Sequence, residues 1–219
     1  MTKALVLARH AELDQPPTAK GQATRERLMS AAERVFGETG YEAARVADIV
    51  GLAGVSHGLF YRHFNDKDAI LFAVLTRLND GLRHTSGRGA EGAKRPSVEQ
   101  LQARNILFFS EYAQHRLMLR VAREAAARNE DTGFRAMWLS IRSRFTARTL
   151  RWIEELTVAG HIEAFEDPAM IAEGLCALTE QMAYVQLGLA VDDPDLELIE
   201  RLGVASGIMW HRMIFGRSI

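Results

Sequence analysis

Apolar residues recur at every third or fourth position along most of this chain, and that spacing predicts helices. The longest example covers about residues 132–159, where Phe134, Trp138 and Ile141 begin an apolar stripe that reaches Leu156, while arginines take the other angles. Strict alternation of apolar and polar residues, which would indicate strands, is almost absent. We therefore predict an all-α protein.

Capping signals mark where several of these helices begin. We expect Asn65 to cap a helix that links the N-terminal part of the chain to the rest, and Ser97 with Gln100 to form a capping box for the next helix. Residues 84–97 combine three glycines and a proline with little apolar content, and indicate a mobile loop. The apolar stripe that follows is interrupted near Gln114, where we predict a break between two helices.

The last two helices begin with the same signal. Asp167-Pro168 and Asp193-Pro194 each place an acidic capping residue before a proline at the first helical position. Each helix then carries an apolar stripe beside a row of small residues. We expect one of these two faces to pack within its own subunit and the other to pack against something else. A symmetric partner is the simplest cover, and we expect a homodimer. The candidate interface residues are Gly174, Ala177, Gly203, Gly207 and Trp210.

A helix-turn-helix pattern lies closer to the N-terminus. We predict a short helix over about residues 46–52, a glycine turn at residues 53–55, and a second helix capped by the Ser56 hydroxyl. Phe60 and Phe64 lie four residues apart and turn one face of the second helix to the core. In helix-turn-helix proteins the second helix enters the major groove of DNA, so the opposite face is the candidate DNA surface.

The motif Gly-Val-Ser-x-Gly-x-Phe-Tyr-x-His-Phe at residues 54–64, followed by Lys67, resembles the tetracycline-repressor (TetR) family of bacterial regulators. The similarity extends upstream to residues 24–28, Phe36 and Gly40-Tyr41. The resemblance implies a three-helix DNA-binding head, a helical body with a cavity for a small molecule, and a four-helix bundle formed between subunits by the last two helices.

The resemblance also implies which side chains meet the DNA. The first residues of the second helix would face bases, and later residues would contact phosphates, since a phenol, an imidazole and an ammonium group can all donate to phosphate oxygens. The predicted DNA-binding residues are Arg45, Ser56, His57, Gly58, Leu59, Tyr61, His63 and Lys67.

Two positions depart from the family pattern. Ala44 and Arg45 stand where a Ser or Thr usually caps the first motif helix, so we expect that cap to be lost and Arg45 to supply a phosphate contact instead. Leu59 replaces a Thr, Ser or Ala, and exchanges a hydrogen bond for an apolar contact such as one with a thymine methyl group. The preferred bases therefore do not follow from the sequence.

The charge balance gives little separate support for DNA binding. The chain holds 27 Lys and Arg against 28 Asp and Glu, a net charge of -1, so binding must rest on the local placement of cations. A single head of this kind should bind DNA weakly. Two heads in a dimer would read the two half-sites of a near-palindromic, double-stranded operator.

The sequence also bears on where the protein acts. No run of 18 apolar residues indicates a membrane span, and the first residues lack the layout of a signal peptide, so we expect a cytoplasmic protein. Cys176, the one cysteine, excludes an internal disulfide. Because it lies among apolar residues, we expect a buried, inert thiol rather than a sensor.

The helical body contains candidates for the lining of a ligand cavity. Their aromatic and apolar bias favours a small hydrophobic effector. The tentative ligand-binding residues are Phe108, Tyr112, Trp138, Arg142, Phe145, Gln181 and Tyr184. The aromatic members fit packed core as well as a pocket, and Arg142 fits a solvated arginine face as well as a ligand contact.

The histidines and the single cysteine show no spacing typical of a metal site or a catalytic set, and we predict no enzyme activity, metal or cofactor. We expect a disordered arm over residues 1–19, a DNA-binding domain over 20–65, and a ligand-binding and dimerisation domain over 66–219. The predicted function is a ligand-responsive DNA-binding regulator, a repressor released when a small molecule shifts the helix after Asn65. The alternative is a dimeric small-molecule-binding module that has lost operator binding.

Overall fold

The structure, a computed structural model, describes residues 18–85, 94–127 and 133–216, with only the backbone described for 81–85. Within these residues the chain forms eight α-helices and no strand, which confirms the predicted all-α class. The helices are α1 (Ala19–Ala43), α2 (Val46–Ala53), α3 (His57–Tyr61), α4 (Lys67–Thr85), α5 (Val98–Ala127), α6 (Phe134–Val158), α7 (Pro168–Ala183) and α8 (Leu196–Phe215). A turn of π-helix, Tyr184–Gly188, directly continues α7. Residues 1–17 of the predicted arm and 86–93 of the predicted loop lie outside the described residues.

The chain divides into two compact units. The first unit holds α1 to α4 together with Leu117–Leu139. The second holds residues 94–116 and the described residues from Ser140 onward. The long helices α5 and α6 therefore contribute residues to both units.

In the first unit, α1 packs against α2 and α4. The helix turns sharply at Gly40, whose φ of 76° lies in the left-handed region that favours glycine. Leu28 and Phe36 of α1 are fully buried, and they anchor the core of the head. The other fully buried side chains of this core include Ile49, Phe60 and Ile70.

Two predicted helix starts are confirmed by their hydrogen bonds. The Ser97 N–H donates to Oε1 of Gln100 at 2.9 Å, and the Gln100 N–H donates to Oγ of Ser97 at 3.3 Å, which is the predicted capping box. The Asp167 carboxylate accepts from the Met170 N–H at 3.0 Å and caps α7. Local sequence is enough to specify both starts.

Two other helix starts differ from the prediction by one or two residues. Asp66, rather than Asn65, caps α4, and Asp195, rather than Asp193, caps α8. In each case the acid immediately before the helix accepts from the amide N–H three residues later, at 2.7 Å. An ionised carboxylate accepts hydrogen bonds from these amides more strongly than the neutral side chain of Asn65 does, which explains why Asp66 is the cap of α4.

α5 is one continuous helix of 30 residues, so the predicted break near Gln114 is wrong. The polar residues there include Arg116, which is buried. Its guanidinium donates to the carbonyls of Leu187 at 3.3 Å and Ala190 at 2.7 Å, and pairs with Asp193 at 3.0 Å. These partners compensate the charge, and they explain how an arginine occupies a buried position in a helix.

The close helix approach that Gly203 and Gly207 permit is made within the chain. A Cβ at Gly203 would lie 2.6 Å from the backbone of Ile106, and one at Gly207 would lie 2.6 Å from the backbone of Gln102. The predicted place of these two glycines in a dimer interface is therefore wrong, because α5 of the same chain already occupies the space beside them.

Trp210, also predicted at the interface, belongs to a buried polar chain inside its own subunit. Its indole N–H donates to Oγ1 of Thr179 at 2.8 Å, and that oxygen lies 3.3 Å from Oγ of Ser206. Ser206 in turn donates to Oδ1 of Asn105 at 2.8 Å. The chain joins α5, α7 and α8, and satisfied buried polar groups of this kind specify one packing arrangement.

Candidate nucleic-acid interface

The helix-turn-helix consists of α2, a turn at Gly54 and the five-residue helix α3. Gly54 has a φ of 63°, and its left-handed conformation ends α2. Oγ of Ser56 accepts from the Leu59 N–H at 3.2 Å, which confirms the predicted cap of α3. Phe60 is fully buried and Phe64 is 2% exposed, so the inner face of α3 belongs to the core of the head.

The opposite face of α3 is open. Tyr61 is 54% exposed, and His57, Gly58 and Arg62 are exposed as well, while Leu59 is half-buried. A Cβ at Gly58 would meet nothing within 4 Å, so another molecule can approach the backbone closely here. The face predicted to meet DNA is thus presented to solvent.

The start of α2 retains half of a capping box. The Arg45 N–H donates to the Asp48 carboxylate at 3.2 Å, so the prediction that this cap is lost is wrong in part. The other half is absent because an arginine side chain has no acceptor. The cap therefore needs nothing from the Arg45 side chain, and the residue is exposed at the start of α2.

His63 lies half-buried at the edge of the open face. Desolvation lowers the pKa of His63 below its usual value, and the positive charges of Arg25 and Arg62 lower this pKa further. A neutral imidazole is therefore the favoured form near pH 7, and it keeps one N–H donor for a phosphate oxygen.

Lys67 has partners within the head. Its Nζ donates to the carbonyls of Tyr41 at 2.8 Å, Ala44 at 3.1 Å and Glu42 at 3.4 Å, and lies 4.1 Å from the centre of the Tyr41 ring. The Tyr41 hydroxyl donates to the Asp68 carboxylate. A phosphate contact by Lys67 would have to compete with these three carbonyls.

Arg27 contacts the turn of the helix-turn-helix, a role that sequence reasoning missed. Its Nη2 donates to the Ala53 carbonyl and, at 3.3 Å, to the Gly54 carbonyl. The last carbonyls of a helix lack partners within it, and cationic side chains often satisfy them. The only sequence signal for this contact is the presence of a cation, Arg27, on the helix before the motif. That signal does not say which carbonyls the side chain reaches.

Arg25 contacts the other end of α3. Its Nη1 donates to the His63 carbonyl at 3.3 Å, and its guanidinium carbon lies 4.4 Å from the centre of the Phe64 ring. Desolvation lowers the pKa of Arg25, and the negative charge of Glu26 opposes that shift. The side chain is half-buried and part of the packing of the head.

In the second unit, several predicted ligand residues lie together. The ring of Phe108 lies 6.0 Å from that of Phe145 and 6.2 Å from that of Tyr112. Tyr112 and Tyr184 both border Gly188 in the π-helical turn, where an added Cβ would lie 3.4 Å from the Tyr112 hydroxyl and 3.3 Å from the Tyr184 ring. π-helical turns are frequent at functional sites, and this one has aromatic neighbours.

The other predicted ligand residues are placed differently. Arg142 donates to Glu180 at 2.6 Å and to Glu173 at 2.7 Å, so its guanidinium is engaged by two carboxylates. Gln181 is exposed, and Trp138 belongs to the first unit.

The lone cysteine also lies in the second unit. Burial raises the pKa of the Cys176 thiol, against the effect of its contact with Thr149 at 3.3 Å. A raised pKa disfavours the reactive thiolate. Cys176 is half-buried rather than buried as predicted, and the inertness of its thiol stays a prediction that the raised pKa favours.

The outward faces of α7 and α8 carry exposed apolar side chains. Gly174 is exposed and Ala177 is half-buried, and no atom lies within 4 Å of a Cβ added at Gly174. Leu178 and Val185 are 36% and 44% exposed on the α7 side, and Val204 is 38% exposed on α8. These faces, unlike the glycine row of α8, are only partly covered by the described residues.

Comparison with known proteins identifies this architecture. A family model described as bacterial regulatory proteins, tetR family, matches residues 28–74, from α1 into α4. A solved bacterial regulatory protein in the tetR family, from Rhodococcus RHA1, aligns with a TM-score of 0.65 at 20% identity, covering 85% of this chain and 95% of that one. The match over residues 28–74 and the shared fold support a regulator similar to the TetR family.

Curated relatives match part of this chain. The transcriptional regulator HbdR of Aromatoleum sp. (strain CIB) is 40% identical over 77 residues, which are 35% of this chain and 33% of the relative. The transcriptional repressor DhaR of Mycobacterium sp. (strain GP1) is 37% identical over 78 residues, 36% of this chain and 39% of the relative. The chain thus spans about a third of the length of these relatives.

Two further findings concern membrane spans and metal sites. None of the described helices has the length and apolar character that crossing a bilayer requires. The described residues also bring together no group of three metal-binding side chains of the His, Cys, Asp or Glu type.

Proposed function

We propose that this protein is a homodimeric, sequence-specific DNA-binding transcriptional regulator that acts in the cytoplasm as a repressor released by a small hydrophobic molecule. The observation that carries the proposal is the open face of α3, with His57, Gly58 and Tyr61 outward and Phe60 anchoring the inner side. The relatives are named as transcriptional regulators, in one case as a repressor, and support it. The proposal includes no enzymatic step.

We assign the residues of the open face to base contacts or to phosphate contacts according to their position. We assign base contacts to His57 and Leu59 at the start of α3, where Gly58 lets the backbone approach the groove. Arg45 and Tyr61 are exposed and have donors suited to phosphate oxygens, and we assign phosphate contacts to them. Phosphate contacts would set the register of the head, and the residues between them would give specificity.

Selection from random double-stranded DNA tests this assignment. The full chain should enrich a near-palindromic site with half-sites about one helical turn, or a multiple of it, apart. His57→Ala and Leu59→Thr should each change the preferred bases, with a mismatched pair costing about 1–3 kcal/mol. Tyr61→Phe, which removes only the hydroxyl, should weaken binding to all sequences alike. Unchanged base preference in both recognition variants would contradict the assignment.

The homodimer is supported by the exposed apolar residues of α7 and α8. Leu178→Glu and Val204→Glu place a charge on these outward faces and should shift the solution mass from two chains toward one. Leu107→Glu is the matched control, because Leu107 is 67% exposed on α5 and has no place in the proposed interface. A wild-type mass of one chain at micromolar concentration would contradict the dimer.

The hydrophobic effector is supported by the aromatic group Phe108, Tyr112, Phe145 and Tyr184 of the second unit. Hydrophobic acids, acyl thioesters, steroids and drug-like compounds can be screened by thermal shift, and each hit then tested for its effect on operator affinity. A compound that weakens DNA binding must bind the DNA complex less tightly by the same factor. Tight binders that leave operator affinity unchanged would contradict the switch.

A further inference from the structure

We propose that Arg25 and Arg27 are positioning residues that hold the recognition helix α3 in place from both of its ends, and that they do not contact DNA themselves. We call the pair the arginine brace. The proposal rests on the DNA-binding function proposed above, because it concerns how that function obtains a fixed recognition surface.

The recognition helix cannot fix its own orientation. It has five residues, fewer than two turns, and isolated helices of that length are not stable in water. Phe60 anchors it to the core as a fully buried side chain. Phe64, which is 2% exposed, follows the helix on the same side. Apolar anchors on one side leave a short helix free to tilt about them, and a tilt moves the outward side chains relative to the bases.

Arg27 holds the segment that enters α3. The carbonyls of Ala53 and Gly54 lie at the end of α2, where a helix has no internal donors for them, and both accept from Nη2 of Arg27. Arg27 also packs closely, since a Cβ at Gly54 would lie 3.4 Å from its Nη2. The planar guanidinium can bind neighbouring carbonyls together, which suits it to fixing a turn.

Arg25 holds the segment that leaves α3. It donates to the His63 carbonyl at 3.3 Å and stacks 4.4 Å from the centre of the Phe64 ring, so a hydrogen bond and a cation–π contact act on adjacent residues. Residues two apart on a helix point about 200° from each other, at 3.6 residues per turn. The two arginines can therefore leave α1 in nearly opposite directions and reach opposite ends of α3.

The same contacts argue against a direct role at phosphates. The donors of Arg27 and Arg25 face backbone carbonyls of the head, and Arg27 makes these contacts although it is an exposed residue. Arg62 is exposed on the open side of α3. A side chain that left the brace to reach a phosphate would give up the contacts that orient the recognition surface.

Hydrogen exchange of the DNA-free, full chain tests the brace without reference to DNA. Arg27→Met and Arg25→Met keep most of each apolar stem and remove the donors. We expect the amides of residues 57–64 to exchange about tenfold faster in either variant, equivalent to the loss of about 1.4 kcal/mol of local protection. Arg34→Met is the matched control, an exposed arginine of the same helix whose contact is with Glu38 at 3.6 Å, and it should leave this exchange unchanged. Wild-type exchange rates in both brace variants would overturn the proposal.

Operator titrations at several salt concentrations separate positioning from contact. Arg27→Met should lower the ratio of operator affinity to non-specific affinity while keeping the wild-type salt slope. Arg62→Met, the comparison for a direct contact, should reduce the slope by about 0.9 per lost phosphate contact. A slope reduced by about 0.9 in Arg27→Met would overturn the proposal. If the wild-type chain binds no operator, the proposed function fails, and the exchange measurement still decides whether the brace exists.

Discussion

Replacing Lys67 by methionine tests whether its ammonium group stabilises the head or contacts phosphate. The change removes the charge and the donors and keeps a stem of similar length. In the structure Nζ donates to the carbonyls of Tyr41, Glu42 and Ala44 at 2.8 to 3.4 Å and stacks on the Tyr41 ring. These contacts join the end of α1 to the start of α4, so their loss should lower the stability of the protein even in the absence of DNA.

The expected size of the effect follows from these contacts. A hydrogen bond to a charged group is worth about 1.5–3 kcal/mol, but Lys67 is half-buried and water can replace part of what is lost. We therefore expect Lys67→Met to lower the free energy of unfolding by about 1–2 kcal/mol in urea denaturation followed by circular dichroism. Lys20→Met, which removes the same charge from an exposed position of α1, should have little effect.

Operator titration completes the test of Lys67. If its main task is within the head, Lys67→Met should weaken operator binding while the salt slope stays at the wild-type value. A slope reduced by about 0.9, together with unchanged stability, would show a phosphate contact and would refute the reasoning from the structure.

Three further predictions concern other parts of the chain. A nearby phosphate favours protonated His63, so the pKa of His63 should be higher in the DNA complex than in the free protein, where it is lowered. Operator affinity should therefore rise as the pH falls from the pKa in the complex to the pKa in the free protein. Titrations at several pH values should show this rise, and His63→Gln should flatten it. Gly203→Ala should cost about 1–3 kcal/mol in urea denaturation, because its Cβ would lie 2.6 Å from the Ile106 backbone, whereas Gly174→Ala meets nothing and should cost nothing. Arg116→Met should cost about 2–4 kcal/mol by the same assay, because two carbonyls lose their donor in a buried site.

The head could be predicted well from the sequence because its signals are local. The Ser56 cap, the Gly54 turn and the spacing of Phe60 and Phe64 each act within a few residues, and the structure shows all of them. The role of Arg27 could not be predicted in this way. Its partners lie 26 and 27 residues along the chain, and a lone cation in a DNA-binding head is as compatible with a phosphate as with a carbonyl.

The body shows where periodicity misleads. The row containing Gly203 and Gly207 correctly indicated a close helix approach, but a sequence does not say whether the approaching helix belongs to the same chain. The local pattern predicts a break near Gln114, because the partners that Arg116 finds near residues 187–193 belong to a distant segment. In both cases the deciding contact is long-range, and it leaves no mark on the local pattern.

The affinity of the full chain for its selected operator, compared with scrambled DNA of the same length and composition, is the most direct test of the account. Fluorescence anisotropy at physiological salt should show operator binding at least about a thousandfold tighter than scrambled binding. His57→Ala should remove much of that ratio and leave scrambled binding unchanged. Equal affinity for the two DNAs, or no binding to either, would contradict sequence-specific regulation and would favour a dimeric small-molecule-binding module that has lost its operator.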